Sequence, residues 1–390
     1  MIKNFFLDNS KKNQIQKEVF QYVRNFGPIS KSQLLEKLKI KQTPLARIII
    51  ELQKRGFIKE SGLGESEGGR RPVLYSIVPD AGYIFAVHII RAQTKVVLYD
   101  LLLNKVEDES FNMTPNHTPE IVISLVIQII KRFIEKYRIH FDQLLGIGIS
   151  TIGPLNKDQG IILNPDAFFS SGWVNVEIVR MLEEAFPVRI ILENAANTAL
   201  VGEFKHVSLT DKNLLYIINS WGLGCGVITN GEVNSKIGET GGFGHMVIDK
   251  EGRPCSCGKR GCLNTYTSIF SVIHSLKENT DLFNDINWKE LSTQEVIKLL
   301  TNHFVITSKI ILESAEDLGI GIANMVNLLG SEVVFISGPL VYNYPNYYET
   351  VKNAINANLN QERSVSFSQG TLKEEAPDLG AGSIVYDSYF

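Results

Sequence analysis

The chain has 390 residues, enough for two or three domains, and 44% hydrophobic and 21% charged residues are the proportions of an ordinary soluble protein. No stretch reaches the ~20 apolar residues of a membrane-spanning helix, since Ile121–Ile130 is broken by Ser124 and Gln128. The N-terminal MIKNFFLDNSKKNQIQ lacks the apolar core of a signal peptide, so a cytoplasmic location without a membrane partner is expected. The net charge of −3 conceals an asymmetry: residues 1–75 hold 15 Lys+Arg against 7 Asp+Glu, a net of +8, and the remainder carries −11. A basic head on an acidic body points to a polyanion at the head alone, although a solvated basic face gives the same count.

The pattern inside the head separates these readings. Ile15, Val19, Tyr22, Val23 and Phe26 recur at helical spacing and stop at Gly27-Pro28. Ser30 is placed to cap a second helix, Lys31–Leu38, with Leu34, Leu35 and Leu38 inward. A third is expected from Thr43 as cap, with Pro44 in its first turn, to Arg55, where Gly56 stops it. Phe57–Lys59 and Val73–Ile77 then flank the glycine-rich SGLGESEGGRRP as a β-hairpin with a basic tip. Three helices and a hairpin within about 65 residues make a winged helix-turn-helix, whose third helix enters the major groove of DNA. Lys41, Gln42, Thr43 and Arg47 are the candidate base-reaching residues, and Arg70 and Arg71 the candidates on the wing. The alternative is a small helical dimerisation domain.

Beyond residue 78 strands and helices alternate. Strands are expected at Tyr83–Ile90, Lys95–Leu102, Leu145–Ser150, Val188–Glu193, Leu214–Asn219, Cys225–Thr229 and Glu332–Ser337. Helices are expected at Pro119–Tyr137, Ala195–Lys205, Val296–His303, Ser308–Leu329 and Asn346–Leu359. Such alternation defines the α/β class. The expected division is a DNA-binding domain over 1–78 and an effector and oligomerisation body over 79–390.

Three of the four cysteines, Cys255, Cys257 and Cys262, fall in one loop, with His245 ten positions ahead of the first. Three thiolates and an imidazole are the ligand set of a closed, structural Zn²⁺ site spanning 245–262. Gly258 and Gly261 allow the loop to turn between ligands. A buried cluster of thiols would not explain the C-x-C-x₄-C spacing or the glycine-flanked histidine, and a disulfide is disfavoured in a reducing compartment.

These segments together resemble the ROK family of sugar kinases and sugar-responsive repressors. The resemblance rests on G-G-R-R-P at 68–72, E-N-A-A-N-T-A-L-V-G-E at 193–203, G-L-G-C-G-V-I-T-N-G at 222–231, G-G-F-G-H-M at 241–246 and C-S-C-G-K-R-G-C-L at 255–263. It implies an actin-like, two-lobed (ribonuclease H-like) body with a sugar cleft between lobes, a structural zinc, and a homodimer or homotetramer. A winged head belongs to the repressor branch.

Against the family pattern, the sequence departs where phosphoryl transfer would occur. The catalytic Asp that follows Asn194 in the kinases is Ala195 here, and a methyl group cannot accept the attacking hydroxyl's proton. The first phosphate loop reads His88-Ile89-Ile90-Arg91-Ala92 instead of D-x-G-G-T. Gly222, Gly224 and Gly226 survive, but a glycine turn between strands needs no nucleotide to explain it. Two pocket glutamates of the family fall at Gly242 and Asn264, leaving Asn194, His245 and Asn264 as the effector-binding candidates. His88 and Arg91 would favour an anionic ligand such as a sugar phosphate, unless they are plain surface residues. The expectation is a non-enzymatic repressor of carbohydrate-utilisation genes that binds a double-stranded operator and senses a sugar or sugar phosphate. Its alternatives are an ATP-dependent sugar kinase and a regulator with no sugar ligand.

Overall fold

The computed structural model describes every residue except 1, 66–70, 166–167, 169, 208–211, 240, 289 and 361–362. The head opens with α1 (Ile2–Leu7), which has no periodic signature because six residues span fewer than two turns. α2 (Lys11–Phe26) starts where the Ser10 hydroxyl accepts the Asn13 amide. After β1 (Ile29–Ser30), α3 (Lys31–Leu38) carries the expected cap, completed by Gln33 as a capping box.

α4 (Gln42–Lys54) corrects the expected start: Lys41, not Thr43, is the N-cap, and no side chain caps the helix. Proline is tolerated throughout the first turn, where amides have no intrahelical partner, so Thr43-Pro44 marks that turn without marking its first residue. Gly56, at φ +73°, ends the helix in a conformation open to glycine. β2 (Ile58–Leu63) and β3 (Val73–Ile77) form the hairpin, and β1 pairs with β3 to complete a three-stranded sheet ordered β1-β3-β2. α2, α3 and α4 followed by the hairpin stand in the element order expected of a winged helix-turn-helix.

The first lobe contains β4 (Tyr83–Ile89), β5 (Gln93–Asp100), β6 (Lys105–Asn112), α5 (Pro119–Lys136) and β7 (Leu144–Thr151). A short pair, β8 (Leu155–Asn156) and β9 (Ile161–Ile162), precedes α6 (Ile178–Glu183), β10 (Arg189–Asn194) and α7 (Ala195–Val207). The second lobe begins with β11 (Leu214–Asn219), β12 (Leu223–Thr229), β13 (Glu232–Val233) and α8 (Ser235–Glu239). It continues through α9 (Asn264–Thr267), α10 (Ile269–Asn279), α11 (Thr293–Asn302), α12 (Phe304–Leu329) and β14 (Val333–Ser337). α13 (Pro339–Asn343), α14 (Tyr347–Asn358), β15 (Ser366–Ser368) and α15 (Ala376–Asp387) complete the chain.

The two lobes repeat one topology. Their sheets are ordered β6-β5-β4-β7-β10 and β13-β12-β11-β14-β15. In each, three strands form an antiparallel meander, and two more are added parallel to the first strand of that meander. Each lobe has its own apolar core, one around Phe85, Ile130 and Ile147, the other around Ile217, Leu318 and Val351.

A third core joins head to body. Ile2, Phe5 and Phe6 of α1, Phe20 and Val23 of α2 and Leu45 and Ile49 of α4 pack with Ile84, Leu101, Leu145, Val385, Tyr386 and Tyr389. α15 supplies Val385 and Tyr386 and leads to Tyr389, and along its length it packs against α7 and β7. The approach is very close: a Cβ on Gly380 would sit 1.7 Å from the Thr198 carbonyl oxygen, and one on Gly202 would sit 2.2 Å from that of Ala376. Only glycine allows helices to cross at this distance.

Candidate metal centre and interlobe cleft

The metal loop is built by backbone hydrogen bonds before any side chain enters. The Cys255 amide donates to the Lys259 carbonyl at 2.9 Å, and the Gly258 amide to that of Cys255 at 3.0 Å, with Gly258 at φ +84°. Gly261, at φ +69°, passes so close to Asp249 that a Cβ would lie 1.5 Å from its carbonyl oxygen. Bonds from the Leu263 amide to Met246 O (2.8 Å) and from the Asn264 amide to Gly244 O (2.9 Å) pin the loop beside His245.

Four side chains converge as a result. His245 Nδ1 stands 3.5 Å from Cys255 Sγ, Cys257 Sγ stands 3.6 Å from Cys262 Sγ, and all four ligand atoms lie within 4.8 Å of one another. Tetrahedral bonds of ~2.3 Å to sulfur and ~2.0 Å to nitrogen require ligand atoms roughly 3.5–3.8 Å apart, so the cluster fits one such ion. Burial, the largest influence, pushes the Cys262 thiol up to about 12, and the Lys259 amide holds Cys257 below its ordinary value. A divalent cation reverses the first effect, because a coordinating thiol is deprotonated outright. His245, Cys255, Cys257 and Cys262 are thus brought together as a centre able to hold a metal.

Between the lobes lies a cleft of about 880 Å³. Asn194, Ala195, Gly222 and Gly224 line it, as do His88, Arg91 and Lys95. Asn194 is committed locally: its Oδ1 accepts the Ala196 amide at 2.9 Å and so starts α7. The neighbouring Glu193 carboxylate is also engaged, with Lys157 Nζ at 2.9 Å and the Asn194 amide at 2.8 Å. Ala195 places a methyl group on the cleft wall. Among the described residues, Glu374 is the one carboxylate that lines the cavity.

The surviving glycines have a packing reason. A Cβ at Gly226 would lie 2.5 Å from the Ala196 carbonyl oxygen, so this strand is held against the first turn of α7. His245 and Asn264 stand behind the wall and are not among its lining residues. Asn264 nevertheless faces the cleft margin: its Oδ1 lies 4.0 Å from the Cβ position of Gly222, buried and without a hydrogen-bond partner among the described residues.

Two basic residues of the altered loop are not surface groups. His88 Nδ1 lies 3.3 Å and Lys95 Nζ 2.7 Å from the two oxygens of Asp378, which is 1% exposed on α15. Burial pushes that carboxyl up, but the His88 and Lys95 contacts together outweigh it and hold it below the ordinary value of 3.8. Arg91 is buried between the rings of Trp221 and Phe270. Nothing in the local sequence signals either arrangement, because every partner is remote along the chain.

On the head, Lys41, Gln42, Thr43 and Arg47 are all exposed and clustered at the N-terminal end of α4. Arg71 is exposed in the connecting loop just before β3, and Arg70 lies outside the described residues.

Two lobes of repeated topology around a cleft define a kinase-like body, joined to a head of helices and a β-hairpin. The ROK family profile matches residues 84–388, and the chain belongs to the ROK family. It is similar to the "Xylose repressor" of Bacillus subtilis (strain 168), with 29% identity over 378 residues that cover 96% of this chain and 95% of that protein. It is also similar to the "DNA-binding transcriptional dual regulator NagC" of Escherichia coli (strain K12), with 25% identity over 330 residues covering 83% and 79% of the two chains. Among solved structures, a ROK family transcriptional regulator described as a homolog of the E. coli MLC protein superposes with a TM-score of 0.76 at 21% identity, covering 98% of both chains. The ROK hexokinase of Thermus thermophilus superposes with a TM-score of 0.62 at 25% identity, covering 78% of this chain and 98% of its own. No helix among the described residues is long and apolar enough to cross a membrane.

Proposed function

We propose that this chain is a DNA-binding transcriptional repressor of sugar-utilisation genes whose kinase-like body senses a ligand and does not phosphorylate it. The observation that carries the reading is the joining of a winged head, through one shared apolar core, to a two-lobed body with Ala195 at the position of the kinase base. Lys41, Gln42, Thr43 and Arg47 read base edges and phosphates from the N-terminal end of α4, and Arg71 and Arg70 contact the neighbouring groove from the wing. Relatives named as repressors of xylose and N-acetylglucosamine genes favour a sugar or sugar phosphate as the effector. Asn264 Oδ1, buried at the cleft margin without a partner among the described residues, is the acceptor left for an effector hydroxyl, and Asn194 and His245 are the other effector-binding candidates.

His245, Cys255, Cys257 and Cys262 hold a structural Zn²⁺. All four ligand positions come from protein, so the ion braces the loop and keeps His245 in place instead of activating water. Dimerisation, as a homodimer or within a homotetramer, matches two recognition helices to half-sites a whole number of turns apart.

Fluorescence anisotropy against duplexes from the protein's own upstream region tests the reading, alongside a coupled ATPase assay across hexoses, xylose and N-acetylhexosamines. Specific binding that weakens by ~0.9 log unit per log salt for each phosphate contacted is expected, with no sugar-dependent ATP turnover. Sugar-dependent turnover without duplex binding would instead establish a kinase.

A further inference from the structure

Arg91 sits in the turn between β4 and β5, held by the bond from the Ile90 amide to Gln93 O at 3.0 Å. It therefore belongs to the first lobe. Its guanidinium carbon lies 4.2 Å from the ring centroid of Trp221 and 3.9 Å from that of Phe270, and both rings belong to the second lobe. The two rings meet at 65° with centroids 5.0 Å apart, an angular socket with two π faces.

The socket is rigid in its own lobe. Trp221 Nε1 donates to Thr293 Oγ1 at 2.9 Å, which fixes the indole to α11. The Ile269 amide donates to Ser220 O at 2.9 Å, which fixes the start of α10 to the same loop. The arginine is 5% exposed, so its attraction to the rings acts largely out of water, where it is strongest. Burial pulls its pKa down to about 9, and it still keeps its charge at neutral pH.

We infer that Arg91 is a latch that bolts the two lobes together across the cleft, and that occupancy of the cleft controls whether it is seated. A cation–π contact fades beyond roughly 6 Å from the ring centroid, so a lobe rotation of a few ångströms at this point releases it. The lobes then have a seated arrangement, the one observed, and a released one. Arg91, Trp221, Ser220 and Thr293 all line the cleft, so a ligand there touches both halves of the latch. Such a ligand shifts the balance by its difference in affinity for the two arrangements. The inference rests on the effector-sensing reading above and gives that site its moving part.

The test uses the full-length chain in two arms. The first compares small-angle scattering and tryptophan emission of ligand-free wild type with Arg91→Ala, Phe270→Leu and Phe270→Tyr. Phe270 is 40% exposed, so leucine is accommodated without loss of the fold. Arg91→Ala and Phe270→Leu are expected to share a changed radius of gyration and a changed emission, and Phe270→Tyr, which keeps an aromatic face, to match wild type. The second arm measures affinity for the upstream duplex, expected to change by about fivefold or more in the first two variants and not in the third. Wild-type values for Arg91→Ala in either arm overturn the latch and leave the repressor reading intact. A wild-type chain that binds no duplex overturns the repressor reading instead, and the first arm alone then decides the latch.

Discussion

Phe6 and Tyr389 meet ring to ring, with centroids 5.5 Å apart and planes at 41°, so the first helix of the chain is packed on the residues just after its last. Tyr386 and Phe390 close the same cluster around Phe6, at 5.9 and 5.1 Å. Arg24 of α2 adds a guanidinium 3.9 Å from the Tyr386 centroid and donates to Leu101 O at 3.1 Å. The head is thereby mounted on the body through side chains of both, not merely tethered by the Pro79–Ala81 turn.

Head and body should therefore melt together. Phe6→Ala removes a ring that is 1% exposed, and such truncations typically cost about 3–5 kcal/mol. Calorimetry is expected to show the head destabilised along with the body. A variant in which the head melts alone, with the body transition unmoved, would show that the shared core does not couple them.

The metal centre makes a second prediction. Purified protein should contain close to one zinc per chain by atomic emission, and Cys262→Ser should lose it. Structural zinc contributes on the order of 10 kcal/mol to small domains, so even a fraction of that should lower the melting temperature after chelation. Equal metal content and equal melting in wild type and Cys262→Ser would remove the centre from the account.

On the head, Arg47 and Lys41 should fail differently. If Arg47 reads a base, Arg47→Ala costs about 1–3 kcal/mol and relaxes the preference at one position of the site. Lys41→Ala at a phosphate weakens all duplexes alike and reduces the salt slope by ~1. Unchanged affinity in both variants would move the interface elsewhere on the head.

Asp378 predicts a pH dependence at the acid end. Its native carboxyl titrates below the ordinary 3.8. A depressed native value means that the stabilisation is complete above 3.8 and is lost as pH falls through the lower native value. Asp378→Asn should flatten that part of the stability curve and, by leaving Lys95 without its 2.7 Å partner, cost about 3–5 kcal/mol at neutral pH. Acid unfolding curves of equal slope for wild type and variant would count against this assignment.

Much of this protein was legible residue by residue. Ser30 as a cap, the apolar stripe from Ile15 to Phe26, the alternation of strand and helix, and the spacing of His245 with three cysteines are local patterns, and local backbone and ligand geometry dictates them. Ala195 was legible too, because the absence of a carboxylate is a property of one residue. Family membership followed from short motifs of the same kind. α1 and α15 were not legible. The first is too short to carry a period, and the second has no polar face to reveal one, since Asp378, Gly380, Ala381 and Ser383 are buried on several sides at once. Nor does any stretch announce that Arg91 seats between Trp221 and Phe270, or that Asp378 gathers His88 and Lys95. Those contacts join residues separated by more than a hundred positions, and only the close packing of two lobes and a head brings their charges and rings within range.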